Sequence, residues 1–164
     1  MKIFIESLSE INFNESLTLR DKLFPNLNKL EQETLKASID NSKIKILEEL
    51  GITMIKYWIA KDTESNKVLG IVGLYSEIDD INDVWLGWYG VSEDARGLGI
   101  GKELLKFAIK EANTINKNKL KLYTTKDIEY KAARDLYEKF GFICKTRKLK
   151  TSTINYELDL KSFR

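Results

Sequence analysis

The sequence predicts an α+β fold: a central mixed, mostly antiparallel sheet of seven strands flanked by about four helices. Three features of the 164 residues carry that expectation. β-rich segments cluster in the middle and at the end of the chain, two clear helical periods each follow a strand, and turn residues separate them. The resulting order is strand, two helices, three strands, helix, strand, helix, two strands, and one sheet with that order needs helices on both faces.

Ile3 to Ile5 reads as the first strand. Asn12 or Asn14 caps a helix that carries Phe13, Leu17, Leu19 and Leu23 and is stopped by Pro25. Residues 28–50 favour helix with a break at Asp40-Asn41-Ser42, where Ser42 caps a second piece that Gly51 ends. β-rich segments follow at Met54 to Lys61, Val68 to Tyr75 and Val84 to Val91. Gly101, Leu104, Leu105, Ala108, Ile109 and Ala112 then recur at helical spacing and mark a helix packed by one face. Leu120 to Thr124 is the next strand. Asp127 caps a second amphipathic helix with Ala133, Leu136, Tyr137 and Phe140 on its buried side, closed by Gly141. Phe142 to Lys148 and Ile154 to Leu160 finish as strands. With no repeat or linker, a single domain over residues 1–164 is expected.

The 27 basic and 25 acidic side chains leave a formal charge of +2, so no strong field steers the chain to nucleic acid or an anionic membrane, and neither partner is expected. The absence of histidine removes the commonest metal ligand and acid-base group; no metal is expected, and catalysis must use carboxylates, Tyr, Lys or backbone. A lone Cys144 excludes an intramolecular disulfide and fits a reducing compartment. The N-terminal Met-Lys-Ile-Phe-Ile-Glu meets a charge too soon for the apolar region of a signal peptide, so a cytoplasmic location is expected.

The most informative segment is Val91-Ser-Glu-Asp-Ala-Arg96-Gly97-Leu98-Gly99-Ile100-Gly101, which joins a strand to a helix and places three glycines at the helix start. The first N–H groups of a helix lack internal partners and sit at its positive end, glycine lets an anion approach closely, and Arg96 adds a charge-assisted bond. A Walker A loop would need glycine at Arg96 and Ser or Thr at Glu103, after Lys102. A dinucleotide fingerprint would need glycine at Lys102 and a parallel sheet.

The pattern R/Q-x-x-G-x-G/A in this loop resembles the pyrophosphate-binding motif of GNAT superfamily N-acetyltransferases. Downstream, Ala133-Arg-Asp-Leu136-Tyr137-Glu-Lys-Phe140-Gly141-Phe142 is similar to the family's second helix and its closing Gly-Phe, so the likeness spans roughly Ile71 to Leu160. It implies acetyl-CoA as cosubstrate, held by Tyr89, Gly90, Val91, Arg96, Gly97, Leu98, Gly99, Ile100, Gly101 and Lys102. It further implies strands that splay around the pantetheine arm, a place that Gly87 and Gly90 suit.

The implied reaction is direct transfer of the acetyl group to a primary amine of a small molecule or peptide, through a tetrahedral oxyanion that a backbone N–H near Trp88 to Gly90 stabilises. Resemblance assigns Tyr137 as the acid that protonates the leaving thiolate; its place on the helix's apolar face equally suits core packing. The strand carboxylate that serves as base in many relatives is replaced by Trp85, leaving Asp83 and Glu77 as candidates. Tyr130 stands where many relatives carry an asparagine that contacts the cofactor. The acceptor side involves the helical region of about 12–50, with Phe24, Trp85, Trp88, Tyr89 and Trp58 as an aromatic wall and the acidic stretch from Glu77 to Asp83 favouring a cationic amine. A homodimer is allowed by analogy. Two other readings stay open: a noncatalytic acyl-CoA-binding module, suggested by the missing strand carboxylate, and a nucleic-acid or partner-binding surface built on Lys145, Arg147, Lys148 and Lys150.

Overall fold

A computed structural model of the protein describes residues 1–146 and 152–163. The chain forms β1 (Ile3–Ser7), α1 (Phe13–Leu23), α2 (Lys29–Ala37), α3 (Ile44–Glu49), β2 (Ile52–Asp62), β3 (Val68–Glu77), β4 (Val84–Leu86) and β5 (Gly90–Val91). It continues with α4 (Ile100–Thr114), β6 (Lys119–Thr125), α5 (Lys131–Lys139), β7 (Ile143–Cys144) and β8 (Thr153–Asp159). The sheet has eight strands in the order β1-β2-β3-β4-β6-β8-β7, with β5 paired separately to β3. The predicted α+β mixed sheet is present, antiparallel except where β4 runs parallel to β6. No helix among the described residues is long and apolar enough to cross a membrane.

Alternation on the long central strands explains the two-sided core. Trp58 and Ala60 of β2 pack into a core with the buried face of α4, Leu104, Leu105, Ala108, Ile109 and Ala112. Their neighbours Tyr57 and Ile59 join Leu19 of α1 and Leu35 of α2 on the other face. Because both faces are covered, residues 57–60 are buried in succession, and the buried Lys61 that follows pairs with Glu6.

The helical caps depart from expectation in instructive ways. Asn12 precedes α1 but makes no cap bond to it; its Oδ1 accepts from Ser9 N–H and its Nδ2 donates to Glu6 and the Ser7 carbonyl, tying the end of β1 down. The reciprocal capping box is at Asn28 and Glu31, opening α2. At the expected break, Asp40 accepts from Ser42 N–H and α3 starts at Ile44, so Ser42 is held by the cap and does not supply it. Asp127 spends its carboxylate on the Thr125 hydroxyl, a single 3-10 turn follows, and α5 begins only at Lys131. The five helices compare with about four expected, because the break near residue 40 separates α2 from α3.

The stretch from Val84 to Val91 is not one strand. β4 pairs with β3 at Leu86 and Trp85, the backbone bulges through Gly87 to Tyr89, and β5 returns to β3 at Gly90 and Val91. Tyr57 supplies the reason. Its ring lies on the backbone of Gly73, where an added Cβ would meet the ring at 2.3 Å, and its hydroxyl is 3.1 Å from where a Gly87 Cβ would stand. Gly90 in turn admits Leu23 of α1, whose Cδ1 would be 2.9 Å from a Cβ there. Thus Gly87 and Gly90 make room for side chains of β2 and α1, and Gly87 also lines a cavity.

The ring that faces Gly73 cannot move, being 3% exposed. Gly73→Ala is therefore expected to lower unfolding stability by about 1–3 kcal/mol through overpacking, read by denaturant titration, whereas Gly90→Ala, which meets only the tip of Leu23, costs less.

Candidate functional site

The bulge separates two strands that begin as neighbours. β4 and β6 pair only at Val84 with Leu120 and Trp85 with Lys121, after which β5 leans to β3 and β6 continues with β8. Their divergence opens a cavity of about 380 Å³. Its walls come from α1 and α2 (Phe24, Glu31, Thr34), from β3 (Tyr75, Glu77), from the bulge (Gly87, Trp88, Tyr89) and from β6 and α5 (Leu122, Tyr123, Tyr137).

Beside the cavity, the loop after β5 runs through a 3-10 turn at Glu93–Ala95 into α4. Gly97 and Gly99 have φ of +79° and +82°, a region costly for a residue with a Cβ, and an atom added at either would meet nothing within 4 Å. Glu103 N–H is the first to reach a carbonyl of the helical ladder, that of Gly99, so the amides of the turn before it lie ahead of the ladder. Leu98 and Arg96 are exposed, Arg96 Nε donating to the Val91 carbonyl at 3.3 Å, while Ile100 is 3% exposed and anchors the turn in the core. A 15-residue helix presents its positive end through an open turn with glycine at positions 97 and 99, an arrangement matched to a phosphate group. Tyr89 donates from its hydroxyl to the Gly101 carbonyl at 2.8 Å, tying bulge to helix, and Lys102 remains exposed.

Tyr137 is 6% exposed and lies among Tyr89, Phe142 and Tyr156, with ring centroids 6.0, 5.7 and 5.8 Å away. The ring is in the core and the residue also lines the cavity. No hydrogen bond among the described residues engages its hydroxyl. Burial, with the neighbouring Tyr89 and Tyr156 phenols adding to it, raises its pKa well above the ordinary phenol value, so it stays protonated.

The other candidates divide. Glu77, Phe24, Trp88 and Tyr89 line the cavity. Asp83 does not: Lys121 Nζ pairs with its Oδ2 at 2.8 Å and the Lys119 amide donates to its Oδ1, a use that joins β4 to β6. Burial alone would lower the Lys121 pKa, but the hydrogen bonds it donates to Asp80 and Asp83, with their negative charges, outweigh burial and raise it. Trp85 is also outside the wall; it stacks behind Tyr75 with centroids 6.4 Å apart and donates from Nε1 to Asp80. Trp58 packs against Phe107 on the opposite face. Tyr130 lines the cavity. Of the late basic residues, Arg147, Lys148 and Lys150 lie outside the described residues.

Several wall residues had no sequence signal. Arg20 is fully buried, donates to the Glu31 and Gln32 carbonyls at 3.3 and 3.0 Å, and lies 6.0 Å from the Trp88 ring centroid. The Trp88 indole donates to Thr34, and the Thr34 side chain and Trp88 backbone both bond the Tyr57 phenol. A helical pattern cannot announce such bonds, because they join residues far apart in the chain. Arg134 likewise clamps the loop after β6, donating to the Thr125, Lys126 and Asp127 carbonyls.

The sequence profile of the Acetyltransferase (GNAT) family matches residues 24–142. No curated protein matches the chain. Among solved structures, an acetyltransferase of the GNAT family from Staphylococcus aureus Mu50 is 21% identical, with a TM-score of 0.74 over 97% of this chain and 99% of that one. The PaiA N-acetyltransferase of Thermoplasma acidophilum, solved in complex with coenzyme A, is 18% identical, with a TM-score of 0.66 over 97% of this chain and 99% of that one.

Two substitutions separate the loop from the ion pair. Gly99→Ala forces a side chain into the left-handed region at a cost of about 1–2 kcal/mol and sets a methyl group in the open space a phosphate would enter, so coenzyme A affinity measured by calorimetry is expected to fall by about ten-fold or more. Asp83→Asn is expected to lower stability by about 1.5–3 kcal/mol while leaving that affinity unchanged.

Proposed function

Because the chain belongs to the GNAT family of acetyltransferases, we propose that it transfers an acetyl group from acetyl-CoA to a primary amine by direct attack, with Tyr137 as proton donor. The observation that carries this reading is the Tyr137 hydroxyl, without a partner among the described residues, in a cavity that adjoins a glycine-rich helix start suited to an anion.

The open turn at Gly97 and Gly99 fits the pyrophosphate, with backbone amides from Gly97 to Lys102 as donors and Arg96 as a nearby cation. The edges of β5, at Gly90 and Val91, and of β6 fit the pantetheine arm, which would pair with backbone as an added strand does. Acetyl-CoA supplies an activated acetyl thioester. All remaining tasks fall to the chain. Helices α1 to α3 wall the acceptor side, placing Phe24 and Thr34 opposite Tyr75. With the Trp88 amide turned to the Tyr57 phenol and the Gly90 amide on the side of β5 that pairs with Ile71 of β3, the Tyr89 amide is the donor left for the developing oxyanion. Tyr137 gives its proton to the departing sulfur, whose conjugate acid has a pKa of about 8.5. Glu77 takes the role of base, receiving the ammonium proton through water, since Asp83 is held by Lys121 and faces elsewhere.

Thiol release from acetyl-CoA across a panel of amines tests the reading. Tyr137→Phe keeps the ring packing and is expected to lower kcat by about 10²-fold with coenzyme A affinity intact. An unchanged kcat would remove Tyr137 from the chemistry. Since its raised pKa keeps Tyr137 protonated, the rate should climb as the acceptor amine loses its proton and show no falling limb below about pH 10. A falling limb near neutral pH that disappears in Tyr137→Phe would contradict the assignment.

A further inference from the structure

Among the described residues, Glu31 and Glu77 are the only charged side chains that line the cavity, and they reach it from different elements, α2 and the end of β3. Neither is in an ion pair shown for the described residues. The remaining wall is largely aromatic, with Phe24 and Trp88 in contact at 5.0 Å between centroids and Tyr75 and Tyr123 beside them. Aromatic faces attract cations and repel anions, as carboxylates do more strongly. The wall also holds Tyr137, a residue 6% exposed whose hydroxyl has no protein partner among the described residues, so the cavity is shaped for something that supplies one.

Glu31 is held for this task by its own helix start. Its Oε2 accepts from the Asn28 amide at 2.9 Å, its own amide donates to Asn28 Oδ1, and Arg20 fixes its carbonyl. No bond among the described residues takes Oε1. Capping therefore orients the carboxylate without consuming it. Burial first, and then the negative charges of Glu31 and Glu77, raises the pKa of the Tyr123 phenol, so both anions act on one point of the wall. Size sets a further limit. A cavity of about 380 Å³ is at the low end of the ~300–1,000 Å³ range of ligand sites and must also admit the acetyl group.

Resting on the acetyltransferase reading, we infer that the acceptor is a compact organic dication: a primary amine whose body carries a second positive charge and no carboxylate or phosphate. Glu77 serves the reacting amine, and Glu31 is the specificity residue that holds the distal charge.

Three probes of equal length test this: 1,4-diaminobutane, n-butylamine and 4-aminobutanoic acid, each titrated by calorimetry into the protein saturated with coenzyme A and each assayed for acetyl-CoA-dependent thiol release. The diamine is expected to bind and react in preference to the other two. Glu31→Gln, which retains an oxygen acceptor for the Asn28 amide, should raise the diamine Kd and KM by about ten-fold, with kcat and the n-butylamine constants changed less than two-fold. Equal losses for diamine and monoamine, or an amino acid that competes with the diamine, would overturn the assignment, as would a peptide acceptor preferred in both proteins. Glu31-dependent binding of the diamine without thiol release would sink the catalytic reading and leave the binding site standing.

Discussion

Strands that start side by side and then part leave backbone N–H and C=O groups without a protein partner along the gap. The rest of this structure is arranged around that constraint. β4 and β6 are neighbours at two residue pairs, and then β5 goes to β3 while β6 goes to β8. The β3–β4 pairing runs on to Gly87, whose amide donates to the Gly73 carbonyl at 2.7 Å, and the buried Tyr57 ring packs on both glycines at the point where the strands part. The gap is then flanked by a helix entered through Gly97 and Gly99, whose first amides lie ahead of its hydrogen-bond ladder.

The site depends on a second layer that holds the aromatic wall still. Arg20, buried in α1, binds carbonyls of α2 and lies near the Trp88 ring; Thr34 of α2 accepts from that indole; and Tyr57 lies beneath both. A charge buried this deeply is tolerated because carbonyls and the Asp21 carboxylate meet its donors, at 2.8 Å for the ion pair. On the far side, the ion pair of Lys121 with Asp80 and Asp83 holds the start of β4 against β6, at the point from which the strands diverge. The acidic stretch before β4 thus divides its work: Asp80 and Asp83 hold strands together, and Glu77 alone of the sequence candidates for the base remains on the cavity wall.

Much of this was legible in the residues. The period of Leu104, Leu105, Ala108, Ile109 and Ala112 places α4 with its buried face correct, and the glycines of the loop before it mark the backbone that positive φ values then require. Tyr137 reads as a buried helix position and the structure keeps it buried while also opening it to the cavity. These features are local, set by spacing along a helix or by the sterics of a single residue, and local rules are written in order along the chain.

The sequence by itself thus determined the α+β order, the helix faces and the bare turn that suits a phosphate. Only the tertiary structure decided which carboxylates face the cavity, that Asn12 ties down β1 and does not cap α1, and that Tyr57 and Leu23 pack on Gly87 and Gly90. Asp83 and Glu77 look alike as residues near one hairpin; a lysine 38 positions beyond Asp83, delivered by a parallel strand, separates their fates. Such outcomes depend on contacts between residues distant in sequence, whose partners are set by the packing of the whole sheet and its helices and leave no periodic trace in the chain.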